Sequence, residues 1–290
     1  MIELLLQALY SGLLQGGSYA LIALGLALVF GAMKVINLAH GDLVLMAAYL
    51  AYTAESALGW HPLAAIVLAL PATCVAAAGM HWTVSRIRTD REINSLLLTF
   101  GFAVVLANGF LLLWRADVHS AASPWLQDAL VLGPLYSMHS EALSFAVSVV
   151  LLALLWWWLA RSWQGRALRA VAANRDAAML MGIAPGRTEL LSFLLSGALA
   201  AFAGVALYCY GVIQPAYGSA LTVKAFIITV LAGLGSIPGV LAAAVLLGIC
   251  EALTVTLASS ALQELTGMVL FLLVLFVMPN GLFGAKLRRG

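Results

Sequence analysis

Ionisable side chains inside long apolar stretches are where this chain has the means to do chemistry. A charge in a bilayer is costly, so it is kept for a partner, a cavity or an ion path. His40 and Asp42 lie in Asn37-Leu38-Ala39-His40-Gly41-Asp42, where a second apolar stretch begins. Gly41 between polar neighbours marks either a helix break, with backbone groups free for a ligand, or a helix entry capped by Asn37 or Asp42. Lys224 and Glu251 occupy two later apolar stretches. They can pair, or they can hold the two charged ends of a zwitterion; Lys224 can also snorkel to the headgroups.

A third candidate is the polar loop that runs from Gly165 to Ile183. Read as one helix, it puts Leu168, Val171, Ala172, Ala178 and Met179 on one face and Arg166, Arg169, Ala173 and Asp176 on the other. Gly182 ends such a helix and Pro185 prevents its resumption. An apolar stripe with a charged back suits docking into a partner's groove. It equally suits lying on an anionic lipid surface.

Enzyme signatures are absent. There is no H-E-x-x-H, no G-x-S-x-G, and no metal-ligand spacing among the five histidines. No Walker A sequence is present, so the chain does not hydrolyse ATP through a P-loop. The bases follow a membrane pattern and form no nucleic-acid patch. Cys74, Cys209 and Cys250 each lie in an apolar segment and read as packing residues.

The elements that must position these residues are membrane helices. The chain has 290 residues, 64% hydrophobic and 9% charged. Soluble domains average about 45–50% apolar and about 25% charged, so the excess must face lipid. Spans are expected at 4–32, 36–54, 62–84, 93–114, 141–160, 190–212, 220–236, 239–258 and 264–279, nine in all, within a range of eight to ten. The expected fold is an all-α polytopic bundle forming one transmembrane domain over 1–290. The first apolar run is too long for a signal-peptide h-region and reads as a retained span. The 220–236 stretch is short and holds Lys224, Gly233 and Gly235. With Pro238 and Gly239 close behind, it could be a broken or re-entrant segment.

Charge counting orients the bundle. Arg86, Arg88 and Arg91 share one loop, Arg161, Arg166, Arg169, Arg175 and Arg187 another, and Lys34 a third. With Lys286, Arg288 and Arg289 they make twelve of fourteen bases on one face, provided 220–236 crosses. The N-terminus is then expected outside and the C-terminus in the cytoplasm. Residues 115–140 become a periplasmic loop and 161–189 a cytoplasmic one. On this topology Glu251 stands about 18 Å up its helix, in the same outer half as Lys224. Gly12/Gly16, Ser196/Ala200/Gly204 and Ala244/Gly248 are small residues at helical spacing and are expected at close helix crossings.

Four segments in order carry a resemblance: Asn37 to Asp42, Asn174 to Ile183, Leu231-Ala232-Gly233-Leu234-Gly235-Ser236-Ile237-Pro238-Gly239, and Pro279-Asn280-Gly281-Leu282-Phe283-Gly284. Together they resemble the LivH-type permeases of branched-chain amino acid ABC importers, over nearly the whole chain. In that family the cytoplasmic loop is similar to a relaxed coupling motif, Glu-Ala-Ala with a glycine after it. Here the equivalent is Asp176-Ala177-Ala178 and Gly182, with Asp in place of Glu. The resemblance implies that this loop docks into an ATPase subunit. It also implies a complex with a second permease, two ATPases that use ATP and Mg, and a periplasmic binding protein, with no cofactor on this chain. Its default cargo is a branched-chain amino acid, and urea or short amides are the alternative. Two rivals from other classes are a proton-coupled secondary transporter using Asp42, His40 or Glu251, and an intramembrane enzyme.

Overall fold

A computed structural model describes residues 1–87, 89–233, 236–278 and 280–283. Arg88, Leu234, Gly235, Pro279, the side chain of Pro238, and Lys286, Arg288 and Arg289 lie outside the described residues.

The helices are α1 (Ile2–Met33), α2 (His40–Leu58), α3 (Ile66–Val84), α4 (Arg91–Trp114), α5 (Pro124–Gln127), α6 (His139–Arg161), α7 (Trp163–Ala173), α8 (Arg175–Leu180), α9 (Pro185–Tyr210), α10 (Tyr217–Ala232), α11 (Ile237–Leu257) and α12 (Gln263–Val277). A hairpin of β1 (Ala129–Leu132) and β2 (Leu135–Met138), with Ala129 opposite Met138, is the small departure from an all-helical chain. Seven helical segments are long and apolar enough to cross a membrane. The expected spans at 36–54 and 220–236 are α2 and α10. α2 carries Asp42 and Glu55, and α10 has only 16 residues.

Both helices begin inside the bundle. α1 ends at Lys34, and residues 34–39 turn back into the bundle before α2 begins. His40 reaches the Ile22 carbonyl and Ser196, both well inside the bundle. α9 ends at the hairpin end, where Ile213 bridges to His119. Residues 211–216 then turn inward, and α10 starts beside α2: a Cβ on Gly218 would lie 2.2 Å from Asp42 Oδ1. From there α2 runs to the hairpin end and α10 to the other. The second half, α9 to α12, therefore repeats α1 to α4 upside down. α11 packs on α1 as α3 packs on α9, and these are among the most extensive helix pairs.

The expected small-residue crossings are present. A Cβ on Gly12 would lie 2.6 Å from Ile249 Cα, and one on Gly16 2.5 Å from Val245 Cα. Gly248 faces Gly12 and Gly16 from α11. A Cβ on Gly204 would lie 2.0 Å from the Val44 carbonyl. In lipid, close backbone packing of this kind stands in for the hydrophobic drive between helices.

The loop read as one helix is two. Asn174 leaves helical geometry, with φ −157° and ψ 109°, and its Oδ1 accepts the Ala177 N–H at 3.0 Å, which caps α8. The break turns the expected docking stripe inward. Leu168, Val171 and Ala178 are buried against this chain, and Met179 is exposed.

Candidate functional site

Three polar sites lie at different depths. The first joins the starts of α2 and α10. His40 Nε2 is 2.8 Å from the Ile22 carbonyl, and its Nδ1 is 3.4 Å from Ser196 Oγ. The backbone around Gly41 is already satisfied. Gly41 N–H donates to Thr222 Oγ1 at 2.9 Å, Leu38 N–H to Thr99 Oγ1, and Ala39 N–H to Asn37 Oδ1. Asp42 sits buried in the first turn of α2 against the start of α10, where two helix N-termini favour a negative charge. Of the two readings of Gly41 the helix entry forms: α2 begins at His40 with Gly41 in its first turn and Ala39, not Asn37 or Asp42, at its N-cap, and the nearby backbone groups serve the fold and leave little for a ligand.

The second site is the Lys224 and Glu251 pair. Lys224 Nζ is 3.0 Å from Glu251 Oε2 and donates to Tyr19 Oη at 2.8 Å. The same Oε2 accepts from the Tyr19 hydroxyl at 2.7 Å and from Gln263 Nε2 at 2.9 Å. Gln15 Nε2 donates to Tyr19 Oη at 2.8 Å. Four helices, α1, α10, α11 and α12, thus converge on one carboxylate. Tyr19, Gln15 and Gln263 are uncharged residues in apolar runs, and no spacing in the sequence marks them.

The third site is the end that carries α7 and α8. Glu189 on α9 is 2% exposed and takes a bidentate Arg91 from α4, at 3.1 and 2.8 Å. It also takes Arg175 Nε, from the first residue of α8, at 3.0 Å. Arg166 and Arg169 do something else: they donate to the Arg161 and Leu159 carbonyls and so cap α6. Asp176 and Ala177 are exposed on α8, and beyond Ala178 the tip presents Met179, Leu180 and Met181, the last two 89% and 82% exposed. Gly182 closes α8 at φ +79° with open space around it, a left-handed turn that favours glycine. Only Glu189 was missed here as a functional residue. It is the one acid between Asp176 and Glu251, set among the loop's arginines.

Gly233 follows the end of α10, and Gly239 lies in the first turn of α11. Gly233, φ +88°, ends α10, and Ser236 Oγ accepts the Gly239 N–H to cap α11. Leu282 and Phe283 N–H groups donate to the Leu231 and Ala232 carbonyls, covering the open end of α10.

Apolar helices with buried polar clusters and no extramembrane core among the described residues define a multi-pass membrane permease. The family model for the branched-chain amino acid transport system permease component matches residues 8–278. The chain is 32% identical to the high-affinity branched-chain amino acid transport system permease LivH of Escherichia coli K12, covering 96% of this chain and 95% of that protein. It is 32% identical to BraD of Pseudomonas aeruginosa over the same shares. A probable LivH of Methanocaldococcus jannaschii is 28% identical over 97% of this chain. The chain belongs to this permease family, as a multi-pass protein of the bacterial inner membrane.

Proposed function

We propose that this chain is the membrane subunit of an ATP-driven importer of branched-chain amino acids. It works with a second permease, two ATPase subunits and a periplasmic binding protein, with its N-terminus outside. The end that carries α7 and α8 gathers the described Arg and Lys of the loops, and Arg115 lies at the other end, which supports that orientation.

The observation that carries the reading is the α8 tip. Three consecutive large apolar side chains, Met179 and Leu180 at the end of the six-residue α8 and Met181 just past it, are exposed. They fit a groove in a soluble subunit. Behind the tip, Arg175 ties α8 to Glu189 and so to α9 and α4. Movement of the docked tip is thereby passed to two long helices, which biases the bundle between its two openings. The partner subunits hydrolyse ATP, with Mg as their cofactor.

The test is leucine uptake into proteoliposomes. Uptake should need the second permease, both ATPases, ATP and the loaded binding protein. Uptake by this chain alone, driven by a proton gradient, overturns the reading. A binding screen on the cognate periplasmic protein names the cargo; urea or an amide in its pocket overturns the amino-acid assignment.

A further inference from the structure

Glu251 is unevenly satisfied. Its Oε2 accepts three donors, from Tyr19, Lys224 and Gln263. Its Oε1 is buried and has no hydrogen-bond partner among the described residues. A bare carboxylate oxygen in a membrane interior is expensive unless something arrives to use it. Oε1 points at Gly267 of α12: a Cβ there would sit 3.6 Å from it, in ordinary contact. α12 carries only hydrogen at that position, so no α12 side chain meets the oxygen there.

Glu251 and Gly267 line a chamber of about 170 Å³ between α10, α11 and α12. Its floor is Glu251, Ile227, Leu247 and Gly267, all buried, and its mouth carries exposed Val223 and Met268 and a second acid, exposed Glu264. Drug-sized ligands take cavities of about 300 Å³ and more, and a single water takes about 30 Å³. The chamber therefore suits one small organic molecule. Lys224 borders it too. An ammonium has three N–H donors, and two of those of Lys224 go to Tyr19 and Glu251. One proton remains. Toward the hairpin end, Gln15 and Gln263 line a second cavity of about 640 Å³; Gln263 donates to Glu251 and Gln15 to Tyr19.

We infer that the α10–α11–α12 chamber binds an aliphatic amino-acid zwitterion in transit, with its ammonium on Glu251 Oε1, its carboxylate on Lys224 Nζ and its side chain against Ile227 and Leu247. This rests on the amino-acid reading above and adds a site within one permease. Each charged group of the ligand meets the capacity left unused on the opposite charge, so binding needs no break in the Lys224 and Glu251 pair. A carboxylate alone or an amine alone leaves one of the two unmet.

The test uses the assembled importer, in two arms. In the first, thermal unfolding of the complex without binding protein is followed in about 10 mM L-leucine, isocaproate or isoamylamine, a ligand of the folded state raising Tm by mass action. Leucine should raise Tm, neither half-molecule should, and Glu251→Gln should abolish the shift. No leucine shift in the wild type, or an equal shift from one half-molecule, overturns the site. In the second arm Gly267→Leu and Met268→Trp fill the chamber without removing a charge. Leucine uptake from the loaded binding protein should fall at least about tenfold, a loss of transit and not of the fold, while Gly267→Ala assembles normally. Wild-type uptake in both filled variants overturns the site. If the wild-type complex moves no branched-chain amino acid yet the first arm is positive, the function reading fails and the site stands.

Discussion

Glu189 shows how burial ranks two contacts of the same kind. Its bidentate partner Arg91 is 25% exposed and Arg175 is 48% exposed. Losing one side of a buried pair costs about 3–5 kcal/mol, whereas a half-exposed pair contributes about 1 kcal/mol or less. Arg91→Ala, which leaves the buried Glu189 with only its half-exposed partner, should therefore lower the melting temperature of the purified complex sharply, and Arg175→Ala should barely move it. Arg175→Ala should still raise the ATP hydrolysed per leucine moved, because its bond is the tether of α8. Equal melting points for the two variants would remove the ranking. An unchanged ATP-to-leucine ratio would remove the tether. The Lys224 and Glu251 pair was legible in the sequence, since helix rise alone puts both in one half of the membrane. Glu189 was not. Its partners lie 98 and 14 residues away on other elements, and nothing local distinguishes it from a loop acid.

Among the elements, the small-residue crossings separate what glycine does from where it occurs. Gly204→Leu must push into the Val44 backbone, 2.0 Å from its Cβ, while Gly79→Leu meets nothing within 4 Å. Overpacking of a tight contact costs about 1–3 kcal/mol or more. The first variant should lose folded yield in detergent and the second should match the wild type. Comparable yields would mean that this crossing does not set the fold. On α8, Leu180→Asp or Met181→Asp should abolish co-purification of the ATPase without altering that yield, since both side chains are exposed. Retained co-purification would place the docking surface elsewhere. Gly182→Val adds a β-branched side chain to a left-handed backbone, a strain of about 1–2 kcal/mol, and should uncouple uptake from hydrolysis; normal coupling would make the turn incidental. Helix identity and most boundaries were readable from apolar runs. The break at Asn174 was not, because its capping bond competes with a helix that the periodicity also supports. The inward starts of α2 and α10 were hidden for a related reason: an apolar window records composition, not the depth at which a helix begins.

For the whole molecule, charge and architecture are separate signals that converge. The basic loops lie at one end and the hairpin at the other, while two inverted halves cross between them. A cysteine at Leu180 should react with an impermeant maleimide only from the cytoplasmic side, and one at Tyr136 only from outside. The reverse pattern would invert the topology. The all-helical, polytopic class followed from composition, and the family from four short segments in order. The inverted relation of the halves did not follow, because it resides in the paths of 34–39 and 211–216 and in no shared motif.

Those returning segments bear on how the protein is made. Gly41 and Leu38 find Thr222 some 181 and 184 residues downstream. When α1 and α2 leave the ribosome, that partner does not yet exist. A bilayer gives no substitute donor or acceptor for the exposed backbone of 34–39. The first half must therefore wait in a protein- or water-lined shelter until α10 arrives, so completion of the bundle is a late event in biogenesis. Chains truncated before α10 should remain bound to the insertion machinery, whereas full-length chains are released.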